Sequence, residues 1–159
     1  RELFERGHTV AVLPYDPVQD KVVLIEQFRI GAYAAGLEPW LSETIAGIID
    51  SGEGAEEVAH REALEEANCR MLELVKIGTF VMSPGGSSET TTMFCGRVDS
   101  GGVGGVYGLA QEGEDILARV VSLDEALKNL AVGKIVSAYA VIPLLWLQSN
   151  KASLKAQWT

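Results

Sequence analysis

The sequence is poor in basic residues and in cysteine, and each shortage excludes a class of protein. Its 159 residues carry 13 Lys and Arg against 22 Asp and Glu, a net charge of −9, which disfavours binding to nucleic acid. Its two cysteines, Cys69 and Cys95, form no CxxC pair, so neither a disulfide framework nor a zinc site is indicated, and a reduced, cytoplasmic setting fits best. No signal peptide and no apolar run long enough to cross a bilayer is visible in residues 1–159, so no membrane partner is expected.

The sequence also lacks an initiator methionine. It begins at Arg1 and enters a strand-like pattern within a few residues. Its length suits one domain with a sizeable core, and no internal repeat or second domain is visible. We therefore expect residues 1–159 to form a single domain that is the later part of a longer polypeptide, with an upstream N-terminal segment not included.

The order of apolar and turn patterns predicts an α/β fold. Strands are expected at 8–15, 21–28, 41–47, 72–82, 90–98 and 116–122, and helices at 55–67, 122–133 and 137–148, with Pro143 at a kink. Segments 29–40 and 99–115 are predicted loops, and loops as long as the second are often functional. This order predicts a mixed sheet covered by helices on its faces.

The most informative stretch is Gly47–Cys69, which holds six glutamates and one arginine. Like charges one helical turn apart are destabilising unless something neutralises them. At about 100° per residue, Glu62, Glu65 and Glu66 fall within an arc of roughly 100° that borders a stripe of alanines. Carboxylates at the edge of a packing face repel and take up protons, and a hard divalent cation would remove that conflict. The alternative is a solvated acidic face.

The spacing of this stretch resembles the signature of the Nudix hydrolase family. That signature is Gly, five residues, Glu, seven residues, Arg-Glu, a hydrophobic residue, any residue, Glu-Glu, any residue, Gly and a hydrophobic residue. The matching positions are Gly47, Glu53, Arg61, Glu62, Ala63, Glu65, Glu66, Asn68 and Cys69. Asn68 departs from the family's glycine but can adopt the same left-handed backbone, and Ala63 is small for a hydrophobic position. Pro84 and the segment GLAQEGED are similar to the ADP-ribose pyrophosphatases within the family.

The resemblance implies a fold, an activity and partners. The fold is the Nudix α/β/α sandwich with a mixed sheet. The activity is hydrolysis of ADP-ribose to AMP and ribose 5-phosphate by water attack on the diphosphate, with two or three Mg²⁺ ions and Mn²⁺ as a possible substitute. The partners are a small nucleoside diphosphate sugar and a second copy of the chain, in a homodimer that exchanges its N-terminal segment.

The same resemblance implies roles for individual residues. The metal ligands are the Ala46 carbonyl and the carboxylates of Glu62, Glu66 and Glu114. The general base is Glu112, with Glu65 in reserve. The substrate contacts are Arg1, Glu2, Arg29, Ile48, Ser83, Gly85 and Glu89.

Three rival interpretations stay open at this point. The substrate could be another nucleoside diphosphate sugar, such as GDP-mannose, since the signature does not separate them. The chain could be a non-catalytic Nudix domain that only binds a nucleotide, although such domains usually lose charged positions of the signature. It could also be an acidic globular protein that binds a partner and carries no chemistry.

Overall fold

Residues 2–108 and 113–159 are described by a computed structural model, and within them eight strands form one mixed sheet. The strands are β1 Thr9–Asp16, β2 Lys21–Phe28, β3 Trp40–Glu43, β4 Ile45–Ile48, β5 Glu73–Val81, β6 Thr90–Arg97, β7 Gly105–Tyr107 and β8 Ile116–Ser122. The helices are α1 Ile30–Ala34, α2 Ala55–Ala67, α3 Leu123–Ala131 and α4 Ala138–Trp158. The predicted bounds of β2, α2 and β8 match these ranges.

The sheet separates two apolar cores, because side chains of a strand alternate between its faces. All eight residues of β1 are buried. Val10 and Val12 pack with α2 in one core, whereas Leu13 and Tyr15 pack with α3 and α4 in the other. The predicted fold class, an α/β/α sandwich with a mixed sheet, is therefore confirmed.

The predicted single strand over 41–47 is wrong. The β1–β2 hairpin pairs only near its turn, at Tyr15–Val22 and Asp16–Lys21, and its strands then diverge. β3 pairs with β2 and β4 pairs with β1, both antiparallel, so this segment fills the gap between the two diverging strands. The chain must change partner strands at Thr44, and that residue interrupts the strand.

The acidic helix α2 has a defined beginning and end. The Glu57 carboxylate accepts from the backbone N–H of Gly54 at 2.9 Å, which closes the first turn. The helix ends at Asn68, whose φ of 45° and ψ of 40° are left-handed. Asparagine tolerates this conformation, which explains why the departure from glycine at this position leaves the helix end intact.

The last helix is longer than predicted and passes through proline. α4 continues ten residues beyond the predicted end at 148, because Leu154 and Trp158 are buried in the second core. Pro143 has no N–H for the carbonyl four residues earlier, and the Thr44 hydroxyl donates to that Tyr139 carbonyl at 2.7 Å instead.

The other predicted loops also contain short elements. Segment 29–40 holds α1, and segment 99–115 holds β7, which pairs with β8. Among the described residues, no helix combines the length and apolar character needed to span a membrane.

Candidate active site

One cavity of about 870 Å³ brings most of the predicted site residues together. Its wall combines carboxylates and arginines, three of the carboxylates and one of the arginines coming from α2. The predicted carboxylates in the wall are Glu62, Glu65, Glu66 and Glu114, with Glu43 and Asp50 beside them, and the arginines are Arg6, Arg29 and Arg61. Acidic and basic groups that face one cavity can bind a metal ion and a phosphate side by side.

The alanine stripe of α2 sets the position of its carboxylates. Ala59, Ala63 and Ala67 are completely buried against the sheet, as the helical spacing predicts. Small side chains let the helix lie close to the sheet. The adjacent glutamates, Glu62, Glu65 and Glu66, therefore lie at the edge of the core. Glu66 is consequently only 3% exposed.

Glu66 is the most deeply buried of these three glutamates. One of its oxygens accepts from the Ala46 backbone N–H at 3.1 Å, which ties α2 to β4. Burial raises the pKa of Glu66 to about 8, although this hydrogen bond acts against the shift. Repulsion from Glu62 and Glu114 contributes to the same rise in the pKa. Without a cation, the protein therefore disfavours a charged Glu66.

Arg61 holds the surrounding carboxylates in place. Its guanidinium donates to Glu62 at 2.8 Å and to Glu65 at 3.2 Å. It also donates to Glu53 at 3.3 Å. Burial raises the pKa of Glu62 to about 7, and Arg61 offsets part of that shift.

Gly47 leaves the space that the Glu62 side chain fills. A Cβ atom at Gly47 would lie 1.9 Å from Glu62 Oε1 and 2.4 Å from its Cγ. Gly47 is not among the glycines with positive φ, so room, and not backbone conformation, demands glycine. The first residue of the signature is therefore explained by contact with a later one.

The donor groups fit a hard divalent cation. Within residues 2–108 and 113–159, no group of three or more His, Cys, Asp or Glu side chains converges closely enough to hold a metal ion. Glu66 is nevertheless buried and Glu62 is half-buried, and Glu114 lies near enough to raise both of their pKa values. An oxygen-seeking cation would remove the cost of charging them.

Two arginines of the cavity are held by buried carboxylates, of which Glu89 was predicted as a substrate contact and Glu43 was not predicted at all. Arg29 lies directly after β2, and its Nε donates to Glu43 at 2.6 Å. Arg6 precedes β1 and lies 3.6 Å from Glu89. Glu43 and Glu89 are each 5% exposed. Glu43 is the last residue of β3 and is separated from β4 by one residue, and no pattern in the sequence marks it as the partner of Arg29.

The remaining predicted site residues fall into three groups. Ala46 and Ile48 line the cavity with Arg29 and the four predicted carboxylates. Those that do not line it are Glu2, Ser83, Gly85 and Glu89, although Glu89 contacts Arg6 and Tyr139 in its wall. Arg1 and Glu112 lie outside the described residues.

The fold and site together define a class of protein: an α/β/α sandwich in which one helix presents carboxylates to a cavity that also holds arginines. Comparison with known protein families matches residues 5–140 to the NUDIX domain, and the chain belongs to the NUDIX family. The family predicted from the signature is therefore confirmed.

The chain is also similar to individual proteins whose activities are named. The chain is 48% identical over 158 residues to an ADP-ribose pyrophosphatase of Escherichia coli strain K12, covering 99% of this chain and 76% of that protein. It is 44% identical over 161 residues to an ADP-ribose pyrophosphatase of Haemophilus influenzae, covering 99% and 74%. Identity to a GDP-mannose pyrophosphatase of an Enterobacter species is 34% over 155 residues, covering 93% and 77%.

Proposed function

We propose that this protein hydrolyses ADP-ribose to AMP and ribose 5-phosphate, with Mg²⁺ or Mn²⁺ bound at the carboxylates of α2. The observation that carries the proposal is the pair formed by the buried Glu66 and the half-buried Glu62, which lines one cavity together with Arg29. The two relatives named ADP-ribose pyrophosphatase are 44% and 48% identical to the chain, against 34% for the one named GDP-mannose pyrophosphatase. This difference favours ADP-ribose as the substrate.

The proposed chemistry divides between the metal and the chain. Two or three bound ions would screen the phosphate oxygens and activate the attacking water. The Ala46 carbonyl, Glu62, Glu66 and Glu114 are the proposed ligands. Arg61 keeps the α2 carboxylates oriented through its hydrogen bonds, as residues behind metal ligands do.

Glu112 is the proposed general base, with Glu65 as the alternative. Glu65 lines the cavity, but its carboxylate already accepts a hydrogen bond from Arg61 at 3.2 Å. We therefore expect Glu112→Gln to lower kcat more than Glu65→Gln, measured at saturating Mg²⁺ and ADP-ribose. The opposite order would assign the base to Glu65.

Arg29 is the proposed donor to the diphosphate, because a guanidinium matches phosphate geometry. We expect Arg29→Ala to raise KM for ADP-ribose roughly 10-fold, as the loss of a charged hydrogen bond implies. Steady-state kinetics with Arg119→Ala as the control check this, since Arg119 pairs with Glu26 at the surface. An unchanged KM would show that Arg29 does not contact the substrate.

The other proposed substrate contacts are Arg1, Glu2, Ile48, Ser83, Gly85 and Glu89.

A substrate panel tests the proposed function. The protein is incubated with Mg²⁺ and ADP-ribose, GDP-mannose or another nucleoside diphosphate sugar, and the released nucleotide is measured with and without EDTA. We expect the highest kcat/KM for ADP-ribose, with equal amounts of AMP and ribose 5-phosphate, and no turnover in EDTA. Preference for GDP-mannose would favour the second relative's activity. Binding without hydrolysis of any compound would indicate a non-catalytic domain.

We also propose the setting and assembly of the protein. Cys69 and Cys95 are buried free thiols, which suits a reduced compartment such as the cytoplasm. The proposed assembly is a homodimer that exchanges N-terminal segments, and a monomer mass in light scattering of the full-length protein would contradict it. One domain over residues 1–159 remains the proposed organisation.

A further inference from the structure

The start of α4 contacts the carboxylate that holds Arg29. Ser137 is the N-cap of α4, but its side chain accepts no hydrogen bond from the helix. Its hydroxyl donates to one oxygen of Glu43, whose other oxygen accepts from Arg29 Nε at 2.6 Å. N-cap serines normally satisfy a helix N–H, as Ser122 does at the start of α3. The Ser137 hydroxyl instead donates its hydrogen bond to Glu43 in the cavity wall.

A second contact from the same helix turn reaches Arg6. The Tyr139 hydroxyl donates to Glu89 Oε1 at 2.7 Å, and Glu89 Oε2 lies 3.6 Å from the Arg6 guanidinium. The Thr91 hydroxyl donates to the Tyr139 oxygen at 3.2 Å and lies 2.7 Å from the Thr9 hydroxyl. The Thr9 hydroxyl also lies 3.1 Å from the Tyr139 hydroxyl and donates to Glu89 Oε1 at 3.4 Å. The three hydroxyls therefore form one network at that oxygen, in which Tyr139 makes the shorter contact, and such networks strengthen their members.

The backbone of this turn is fixed to the site strands. The Tyr139 carbonyl, left without a helix partner by Pro143, accepts from Thr44. Thr44 separates β3, which carries Glu43, from β4, which carries Ala46. The first turn of α4 is thus bound to Glu43 of β3 and to the residue that links β3 to β4.

These contacts limit how each carboxylate can approach its arginine. A carboxylate with one oxygen occupied by a hydroxyl offers the other oxygen to the guanidinium. Without the hydroxyl, it can turn and form the two parallel hydrogen bonds that arginine and carboxylate favour. The guanidinium would then direct more of its donors to the wall and fewer to the cavity.

We propose that Ser137 and Tyr139 are positioning residues that act through Glu43 and Glu89 to orient Arg29 and Arg6 toward the phosphates of the substrate. The inference rests on the proposed function, because it takes the ligand of the two arginines to be a diphosphate. It adds a role for α4, an element that contributes none of the residues of the signature.

The first test compares Ser137→Ala and Tyr139→Phe with matched controls. We expect each variant to raise KM for ADP-ribose about 5-fold, a fraction of the effect of losing a charged hydrogen bond outright, with kcat nearly unchanged. Ser137→Thr keeps the hydroxyl and should restore the KM. Ser122→Ala removes a true N-cap, and Tyr15→Phe removes a hydroxyl that bonds Asp20 away from the cavity. Both controls should lower Tm and leave KM unchanged.

A second test asks whether each hydroxyl acts through its own arginine. In an Arg6→Ala background, Tyr139→Phe should raise KM no further, whereas Ser137→Ala should still raise it. In an Arg29→Ala background, Ser137→Ala should raise KM no further, whereas Tyr139→Phe should still raise it. Pairs that act through one contact show this non-additivity, and independent sites do not.

The outcomes separate the inference from the proposed function. If the wild type hydrolyses ADP-ribose but Ser137→Ala and Tyr139→Phe change only Tm, α4 merely supports the fold and the inference is wrong. Equal effects of Tyr139→Phe with and without Arg6 would also overturn it. If the wild type hydrolyses no diphosphate sugar, the proposed function fails first.

Discussion

Glutamine in place of Glu66 is expected to remove nearly all turnover while making the metal-free protein more stable at alkaline pH. Glu66 is a proposed metal ligand, and a metal ion at a phosphate contributes several kcal/mol of charge stabilisation, so kcat should fall roughly 1,000-fold. The side chain is 3% exposed and borders two further carboxylates. Glutamine has the same shape, keeps an oxygen for the Ala46 N–H and carries no charge.

The direction of the pH effect follows from the pKa of Glu66. Burial raises that pKa to about 8 from an ordinary value of 4.5. Between these two values the unfolded chain has released the proton while the folded protein retains it, so folding loses stability as pH rises. The loss is complete above pH 8. Glu62, whose pKa burial raises to about 7, adds to the same trend.

Thermal unfolding in EDTA from pH 5 to pH 9 measures this effect. Wild-type Tm should fall across the range, and Glu66→Gln should fall less, with the largest gap at pH 9. Mg²⁺ should raise wild-type Tm more than that of the variant, because a ligand stabilises the state that binds it. Glu56→Gln, an exposed position in the first turn of α2, is the control. Parallel curves for wild type and Glu66→Gln would show that Glu66 carries no buried charge.

The features that the sequence predicted well are set by residues that lie close together in the chain. The spacing of Glu62 and Glu66 beside the alanine stripe depends only on the period of a helix, and α2 has the predicted bounds. Gly47 and Glu62 belong to one signature, so their contact was implied by the resemblance even though its steric reason was not. The left-handed end at Asn68 likewise depends on one residue.

What the sequence could not predict comes from contacts between distant segments. Tyr139 and Glu89 are 50 residues apart, and no local period links them. The break at Thr44 follows from the divergence of β1 and β2, which the pattern of 41–47 does not contain. The extension of α4 to Trp158 depends on burial in the second core, so its polar residues gave no sign of a helix that packs.

Alanine in place of Gly47 is expected to impair catalysis strongly without unfolding the protein. The added Cβ would lie 1.9 Å from Glu62 Oε1 and 2.4 Å from Glu62 Cγ, so the whole glutamate side chain has to leave its present position. That movement also breaks the 2.8 Å bond from Arg61. Displacing a proposed metal ligand in this way should lower kcat/KM roughly 100-fold, the upper range for loss of support behind a metal site.

Stability should change little, because Gly47 lies in a strand and not at a positive φ, and the clashing atoms belong to a side chain that can rotate. Kinetics, Tm in EDTA and Mn²⁺ binding followed by electron paramagnetic resonance measure the three quantities separately. Gly86→Ala is the control, since its Cβ would meet no atom within 4 Å. We expect Gly47→Ala to bind Mn²⁺ more weakly with a near-normal Tm, and Gly86→Ala to match the wild type in both measurements. Wild-type Mn²⁺ affinity in this variant would mean that Glu62 does not bind the ion from its present position.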